Sequence, residues 1–422
     1  MARAAGRSGS AGGTRVTDWI GAAEAAERLG IKPASLYSYV SRGVLTPRRG
    51  PDGRASLFDA AQIAALARRG RPRRAPGGAE LVIESELTEI SGDRLRFRGH
   101  DVIAMATGRS FEEVAGLLWT GASPDAAAGG PWRATGEAIA AGTAAQAALP
   151  ADTYPLERLQ VIVPAVAATD RLRLHLDPPA VIAAARSLIA AMVDCLPPAG
   201  PGAAPAPADG DSIAGRLAPK LCRRPPSAGL VAALRAALVL LADHELAAST
   251  LAARVAASVR ADPYAVVATG LGAMSGALHG GASLGAEVLL LSAARPADAP
   301  RVVGELLRRG ERIPGLGHFV YQGGDPRAVL LLDLIRQAAP DSGRLAIAEA
   351  VLAEASRRAL PAPNIEFALA ALSAVAEMVP GAGEAVFAVA RTAGWLAHAL
   401  EEYARATPIR PRGVYTGRPA VS

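Results

Sequence analysis

PGLGHFVYQGGDPRA, residues 314–328, is the stretch from which the rest of this chain can be read. Glycines on both sides of Leu316 allow a tight loop and leave backbone N–H groups open to a ligand. His318 follows directly, in a chain of 422 residues with only six histidines. DPR then places Arg327 near the loop, where a guanidinium can clamp a carboxylate through two parallel N–H bonds. For a single histidine, a satisfied polar residue in a loop is the ordinary reading. The pattern gains meaning because it recurs.

Two more histidines stand in unusual contexts. ADHELAASTLAARVAAS (242–258) carries His244, and SGALHGGAS (275–283) carries His279 between glycines that let backbone approach a ligand closely. Three such histidines in a chain of enzyme size are hard to read as accidental. Further along, PNIEF (363–367) sets Glu366 after a Pro-Asn turn. ARTAGWLAHALEEY (390–403) sets Arg391 near the start of an amphipathic helix, and IRPRGVYTG (409–417) supplies Arg410 and Arg412.

Half of the chain is hydrophobic but only 4% is aromatic, so the core must be built from Ala, Leu, Val and Ile. That mix favours closely packed helices over sheets. Apolar residues at three- and four-residue spacing predict helices over Phe111–Trp119, Val181–Met192, Leu230–Ala242 and Phe387–Tyr403. Residues 122–131 and the Pro/Ala/Gly run 197–210 read as breaks between helices. The stretch Pro263 to Ala286 has no formal charge and is long enough to span a bilayer, but Gly270, Gly272, Gly276, Gly280 and Gly281, together with His279, interrupt it, which argues against a membrane helix. Cys195 and Cys222 lack metal-ligand spacing and read as ordinary thiols of a reducing compartment. The basic N-terminus has no apolar segment of the secretory kind, so a cytoplasmic protein is expected.

Charge divides the chain. Residues 1–74 hold 14 Lys/Arg against 5 Asp/Glu, a balance of +9, whereas the remainder carries −3. Such a basic head suits a polyanion partner. Residues 1–16 read as a disordered tail, 17–69 as a compact module and 70–79 as a linker. Within the module the spacing predicts a helix over Ile20–Leu29 and a second over Pro33–Arg42, stopped by Gly43. A β-hairpin follows with Arg48, Arg49 and Arg54 at its turn, then a third helix over Asp59–Arg69. Helix, turn, helix and basic wing is the layout of a winged helix-turn-helix, and AAERLGIKPASLYSYVSRGVL resembles the DNA-reading head of the MerR group. Ser35, Tyr37, Ser38, Arg42, Arg48, Arg49 and Arg54 are then its candidate DNA contacts, with the second helix in the major groove.

From residue 80 onward the motif order DHE…ST, LHGG, GxGH…DPR, PN-acid-F, ARTAGWLAH and RPRxxYxG resembles the citrate synthase family. ISGDRLRFRGHD (90–101) with EEVAGLLW (112–119) resembles the family's N-terminal segment. The resemblance implies a mainly α, almost entirely helical homodimer. Its large domain would comprise 80–265 and 370–422 and its small domain about 266–369, closing around substrate. It implies that His244, Arg327 and Arg391 bind a dicarboxylate 2-oxo acid, oxaloacetate, with Arg410 of the partner subunit completing that site. His318 would polarise the ketone, His279 would stabilise the enol of the acyl-CoA, and Glu366 would stand where the base stands. Ile313, Pro314, Gly315, Leu316 and Gly317 would face the CoA adenine. Arginines holding the oxo acid take the place of a metal, so neither metal nor cofactor is expected; acetyl-CoA or propionyl-CoA is a substrate.

Two departures matter. The family base is aspartate; Glu366 is one methylene longer, enough to displace a carboxylate by roughly 1 Å, a misplacement that can cost about 100-fold in rate. FVYQGG (319–324) also lacks the basic residue many relatives carry between GH and DPR, suited to CoA phosphates. Two functions fit: an acyltransferase making citrate or 2-methylcitrate, and a DNA-binding regulator whose weakly active body senses oxaloacetate or acyl-CoA.

Overall fold

In the computed structural model of the chain, the structure is described for residues 19–29, 45, 47–50, 56–60, 62–63, 82–123, 130–200, 211–277, 279, 281–321, 323–413 and 415–417. The chain divides into two compact units, Met1–Val82 with Pro411–Ser422, and Ile83–Arg410. The expected tail 1–16, helix 33–42, linker 70–79 and most of the break at 197–210 lie outside the described residues. So do Ser35, Tyr37, Ser38, Arg42 and Arg54.

In the first unit, β1 (Trp19–Gly21), β2 (Arg48–Arg49) and β3 (Ser56–Asp59) form an antiparallel sheet in the order β1-β3-β2, and α1 (Ala22–Leu29) follows β1. Three expectations change here. The helix expected from Ile20 begins at Ala22, because Ile20 pairs with Phe58 across the sheet. Arg48 and Arg49 lie in a strand opposite Leu57 and Ser56, not at a turn. Asp59, expected to begin a helix, ends β3. Ile20, Ala25, Leu45, Phe58 and Ile63 make a small apolar core, which this pairing closes.

The second unit opens with a meander of β4 (Thr88–Ser91), β5 (Arg94–Phe97) and β6 (His100–Asp101). Helices then follow: α2 (Val102–Gly108), α3 (Phe111–Thr120), α4 (Gly136–Ala145), α5 (Pro155–Ala167) and α6 (Pro178–Asp194). Next come α7 (Ile213–Leu221), α8 (Ala228–Leu241), α9 (Ala248–Ser258), α10 (Pro263–Met274) and α11 (Gly281–Leu291). The unit ends with α12 (Ala299–Arg308), α13 (Pro326–Ala338), α14 (Gly343–Arg357), α15 (Ile365–Val375) and α16 (Ala382–Arg405). The starts carry their signals: Ser110 and Glu113 form a reciprocal capping box on α3, and Asp262 caps α10 ahead of Pro263.

The centre of this unit is α16, packed by α8, α9 and α10 among others. It starts five residues before the expected Phe387 and is buried on every side from Ala382 to Ala399. The sequence suggested an amphipathic helix with Arg391 near its start; Arg391 instead sits mid-helix, sealed in the core. Close packing explains how. A Cβ at Gly270 would stand 2.6 Å from the Trp395 ring, so only glycine lets α10 lie on α16 here. The uncharged run 263–286 breaks between α10 and α11, and no helix among the described residues is long and apolar enough to cross a membrane.

Candidate active site

The glycine loop is built as its sequence requires. Gly315 and Gly317 have φ of +79° and +81°, the left-handed region that disfavours a Cβ. A Cβ on Gly315 would also stand 2.7 Å from that of Phe367. The loop is stitched to the segment before α15: Gly317 N donates to Ala362 O (2.8 Å), and Asn364 N donates to Gly315 O (2.9 Å). Asn364 also caps α15, its Oδ1 accepting from Glu366 N and Phe367 N. Its Nδ2 donates to Gly317 O (2.8 Å) and to Glu366 Oε2 (3.2 Å). One side chain thus ties the His318 loop to the carboxylate of Glu366.

Asp325 caps α13 and holds Arg327. Its two oxygens accept from Arg327 Nε and Nη2, each at 2.9 Å, and Oδ2 also takes Ile365 N. His318 Nδ1 accepts from Val320 N (3.0 Å), which leaves the ring hydrogen on Nε2. Arg327 Nη2 lies 3.3 Å from that Nε2. Both atoms are then donors; an oxygen placed against them would satisfy both. His244 closes the group, its Nε2 3.0 Å from Tyr321 Oη, and its ring edge-on to His318 with centroids 5.4 Å apart. A cavity of about 350 Å³ opens beside His318, Tyr321, Asp325 and Pro361.

Arg391 is 1% exposed. Its Nε donates to Leu241 O (2.9 Å) and its guanidinium lies over the Phe387 ring, but Nη1 is buried without a hydrogen-bond partner. A buried cation with an unmatched donor is costly unless an anion arrives to meet it. His279 stands edge-on to the same Phe387, and its Nε2 is 2.8 Å from Ser249 Oγ, which accepts from Trp395 Nε1.

Burial lowers the pKa of His244, His279 and His318 alike. Burial and then Arg391 push His279 down to about 4. Burial and then Arg327 lower His318, and burial with Arg327, Arg391 and His318 holds His244 well below its ordinary value. Glu366 moves the other way: burial raises its pKa, against the pull of Arg327 and Asn364, making it a stronger base. Burial lowers Arg391 to about 10, and Asp243 opposes that shift.

The structure therefore brings His244, His279, His318, Arg327, Glu366 and Arg391 into one connected region. Of the expected CoA loop, Ile313 is buried, Gly315 is pressed against Phe367, and Pro314, Leu316 and Gly317 are partly exposed. Arg410 is exposed and makes none of these contacts. Among the described residues, no group of three or more His, Cys, Asp or Glu could hold a metal ion. Residues the motifs carried without an assigned role turn out to hold the site: Asp243 and Ser249 in DHE…ST, Tyr321 and Asp325 around GH…DPR, and Asn364 in PNIEF. Thr88, which donates to Asp243 Oδ2, carried no signal, being distant in sequence. A larger cavity of about 800 Å³, lined by Tyr154, Arg158, Lys220 and Pro380 among others, contains none of these groups.

The family profile described as "Citrate synthase, C-terminal domain" matches residues 78–412. Citrate synthase 2 of Bacillus subtilis is 30% identical over 79% of this chain and 93% of its own length. The citrate synthase of Haloferax volcanii is 32% identical over 80% and 94%. A 2-methylcitrate synthase of Mycobacterium tuberculosis is 29% identical over 82% and 91%. In fold, the chain is similar to the Thermoplasma acidophilum citrate synthase solved as a ternary complex with carboxymethyl coenzyme A and oxaloacetate, with TM-score 0.66 and 24% identity over 81% of this chain and 95% of that one. The Thermotoga maritima citrate synthase gives a TM-score of 0.63, also at 24% identity, over 82% and 96%.

Proposed function

The chain belongs to the citrate synthase family, and from that membership and the geometry of its site we propose that it condenses acetyl-CoA or propionyl-CoA with oxaloacetate, releasing CoA. The observation that carries the reading is the buried, unmatched Nη1 of Arg391, whose charge acts on both His244 and His279. The carboxylates of oxaloacetate supply the missing acceptors at Arg391 and Arg327, with His244 beside them. Arg410 of the partner subunit completes this pocket in a homodimer.

The chemistry then follows from proton positions. His318 presents Nε2–H to the ketone oxygen of the oxo acid and polarises it. Ser249 gives its hydroxyl hydrogen to His279 Nε2, so that Nδ1–H faces the thioester oxygen. Glu366 removes a proton from the carbon next to the thioester carbonyl. The carbon–oxygen enol so formed is held by His279, and its carbon attacks the ketone carbon. Water then cleaves the thioester, giving citrate or 2-methylcitrate and the free CoA thiol. Removing one donor from a developing oxyanion costs about 10²–10³ in rate, the scale expected of either histidine. Glu366 reaches one methylene further than the family's aspartate, and its lift in basicity by burial supports its role as the base.

Thiol release from acetyl-CoA and from propionyl-CoA, each with oxaloacetate, tests this directly. Turnover with either confirms it, and the ratio fixes the donor, since one methylene is worth about 1–3 kcal/mol in an apolar pocket. Absence of release with both, at substrate concentrations that saturate binding, overturns it. We further place the protein in the cytoplasm, on its two buried, unpaired cysteines. We read residues 17–69 as a winged helix-turn-helix that contacts DNA, on the basic balance of the head and on Arg48 exposed in its strand.

A further inference from the structure

Behind His244 lies a row of buried charges that the condensation itself does not touch. Arg254, on α9, is wholly buried. Its Nε donates to Glu402 Oε1 and its Nη1 to Glu401 Oε2, both at 2.7 Å. The same Nη1 is 2.6 Å from His398 Nδ1. A guanidinium only donates, so Nδ1 is the acceptor and the ring hydrogen sits on Nε2. Nε2 in turn lies 3.3 Å from Asp243 Oδ1 and 3.4 Å from Oδ2. Asp243, fully buried, also accepts from Thr88 Oγ1 (2.5 Å) and from Glu245 N (3.2 Å).

Asp243 stands next to His244 in the loop that leaves α8. Glu245 in that loop has φ of +55°, a conformation rare for residues with a side chain, and Asp243 holds its N–H there. Asp243 also supports the charge of Arg391. Helix α16 comes close enough because Gly394 has no Cβ to strike Asp243 and the Ala242 carbonyl, and Gly394 N donates to that carbonyl (3.0 Å). Buried ion networks add little stability over an apolar core of the same volume, because desolvation offsets the attraction. What this one adds is orientation.

We infer that His398 is a positioning residue for the 2-oxo acid: it couples Asp243 to Arg254 and so fixes the His244 loop and the carboxylate opposing Arg391. The inference rests on the proposed oxaloacetate site. It is tested in the full-length protein with His398→Met, His398→Gln and Thr88→Val, reading oxaloacetate affinity by calorimetry together with KM for each substrate, kcat and the melting temperature. His398→Met raises KM and Kd for oxaloacetate about tenfold, as expected for loss of a hydrogen bond to a charged group, with KM for acyl-CoA and kcat within about twofold. Thr88→Val, a milder change, moves oxaloacetate affinity the same way by about threefold. The glutamine amide accepts from Arg254 and donates to Asp243, and restores affinity to within about twofold.

Unchanged oxaloacetate affinity in Thr88→Val and His398→Met overturns the inference. So does a glutamine variant as defective as the methionine one, or a loss confined to kcat. If His398→Met does not fold, the other two variants decide. Wild-type protein that fails to bind oxaloacetate overturns the functional reading and this inference with it, whereas wild-type binding with no effect of the variants overturns the inference alone.

Discussion

Replacing Asn364 separates the structural and chemical parts of the site. Asn364→Ala removes the cap of α15, worth about 1 kcal/mol, and leaves Gly317 O without its donor, worth about another 1 kcal/mol. A loss of about 2 kcal/mol in a body of this size lowers the melting temperature by about 3 °C. The chemical effect is larger. Glu366 loses the Nδ2 hydrogen bond that favours its charged form, so its pKa, already raised by burial, rises further. With Glu366 as the proposed base, the acid limb of the pH–rate profile therefore moves to higher pH. Freed from Asn364, the carboxylate also shifts, and a displacement near 1 Å lowers kcat by about 100-fold. Asn364→Asp keeps a capping oxygen for Glu366 N and Phe367 N while setting a second carboxylate beside Glu366. Like alanine it loses the donor to Gly317 O, so it melts at least about 1.5 °C below the wild type, but it moves the acid limb further than alanine does. Differential scanning calorimetry and kcat/KM from pH 5 to 9 measure both effects. An alanine variant with wild-type melting and an unmoved acid limb would refute the claim that this side chain couples the His318 loop to Glu366.

Glu366→Gln lowers kcat by about 10²–10⁴ while leaving KM for oxaloacetate near wild type. Because burial raises the folded pKa of Glu366, its ionisation costs stability above that pKa and costs none below the unfolded value, so the glutamine variant melts higher than wild type at pH 7 and the difference disappears near pH 4. In the first unit, residues 1–75 fused to a dimerising segment shift DNA fragments in a mobility assay, with binding that weakens steeply as salt is raised; no shift at low salt with any promoter fragment would make the module an adaptor.

The helical body, the motif order and the candidate groups for substrate are legible in the residues alone. Each is a local matter. Ala- and Leu-rich runs with helical spacing have few other ways to bury themselves, and glycines flanking His318 and His279 permit backbone turns that other residues resist. Composition also showed the charge division of the chain. Which partner each buried charge has emerges only when the helices pack. Arg391 looks in sequence like the start of a half-exposed helix, yet α16 runs through the core, and its burial there gives the guanidinium both its unmatched Nη1 and its lowered basicity. Thr88, the pair Asp243 and Arg254, and His398 come from three distant parts of the chain, and no periodicity predicts that they share a hydrogen-bonded row. Propensity acts over a few residues, whereas the desolvation of a charge is set by everything packed around it.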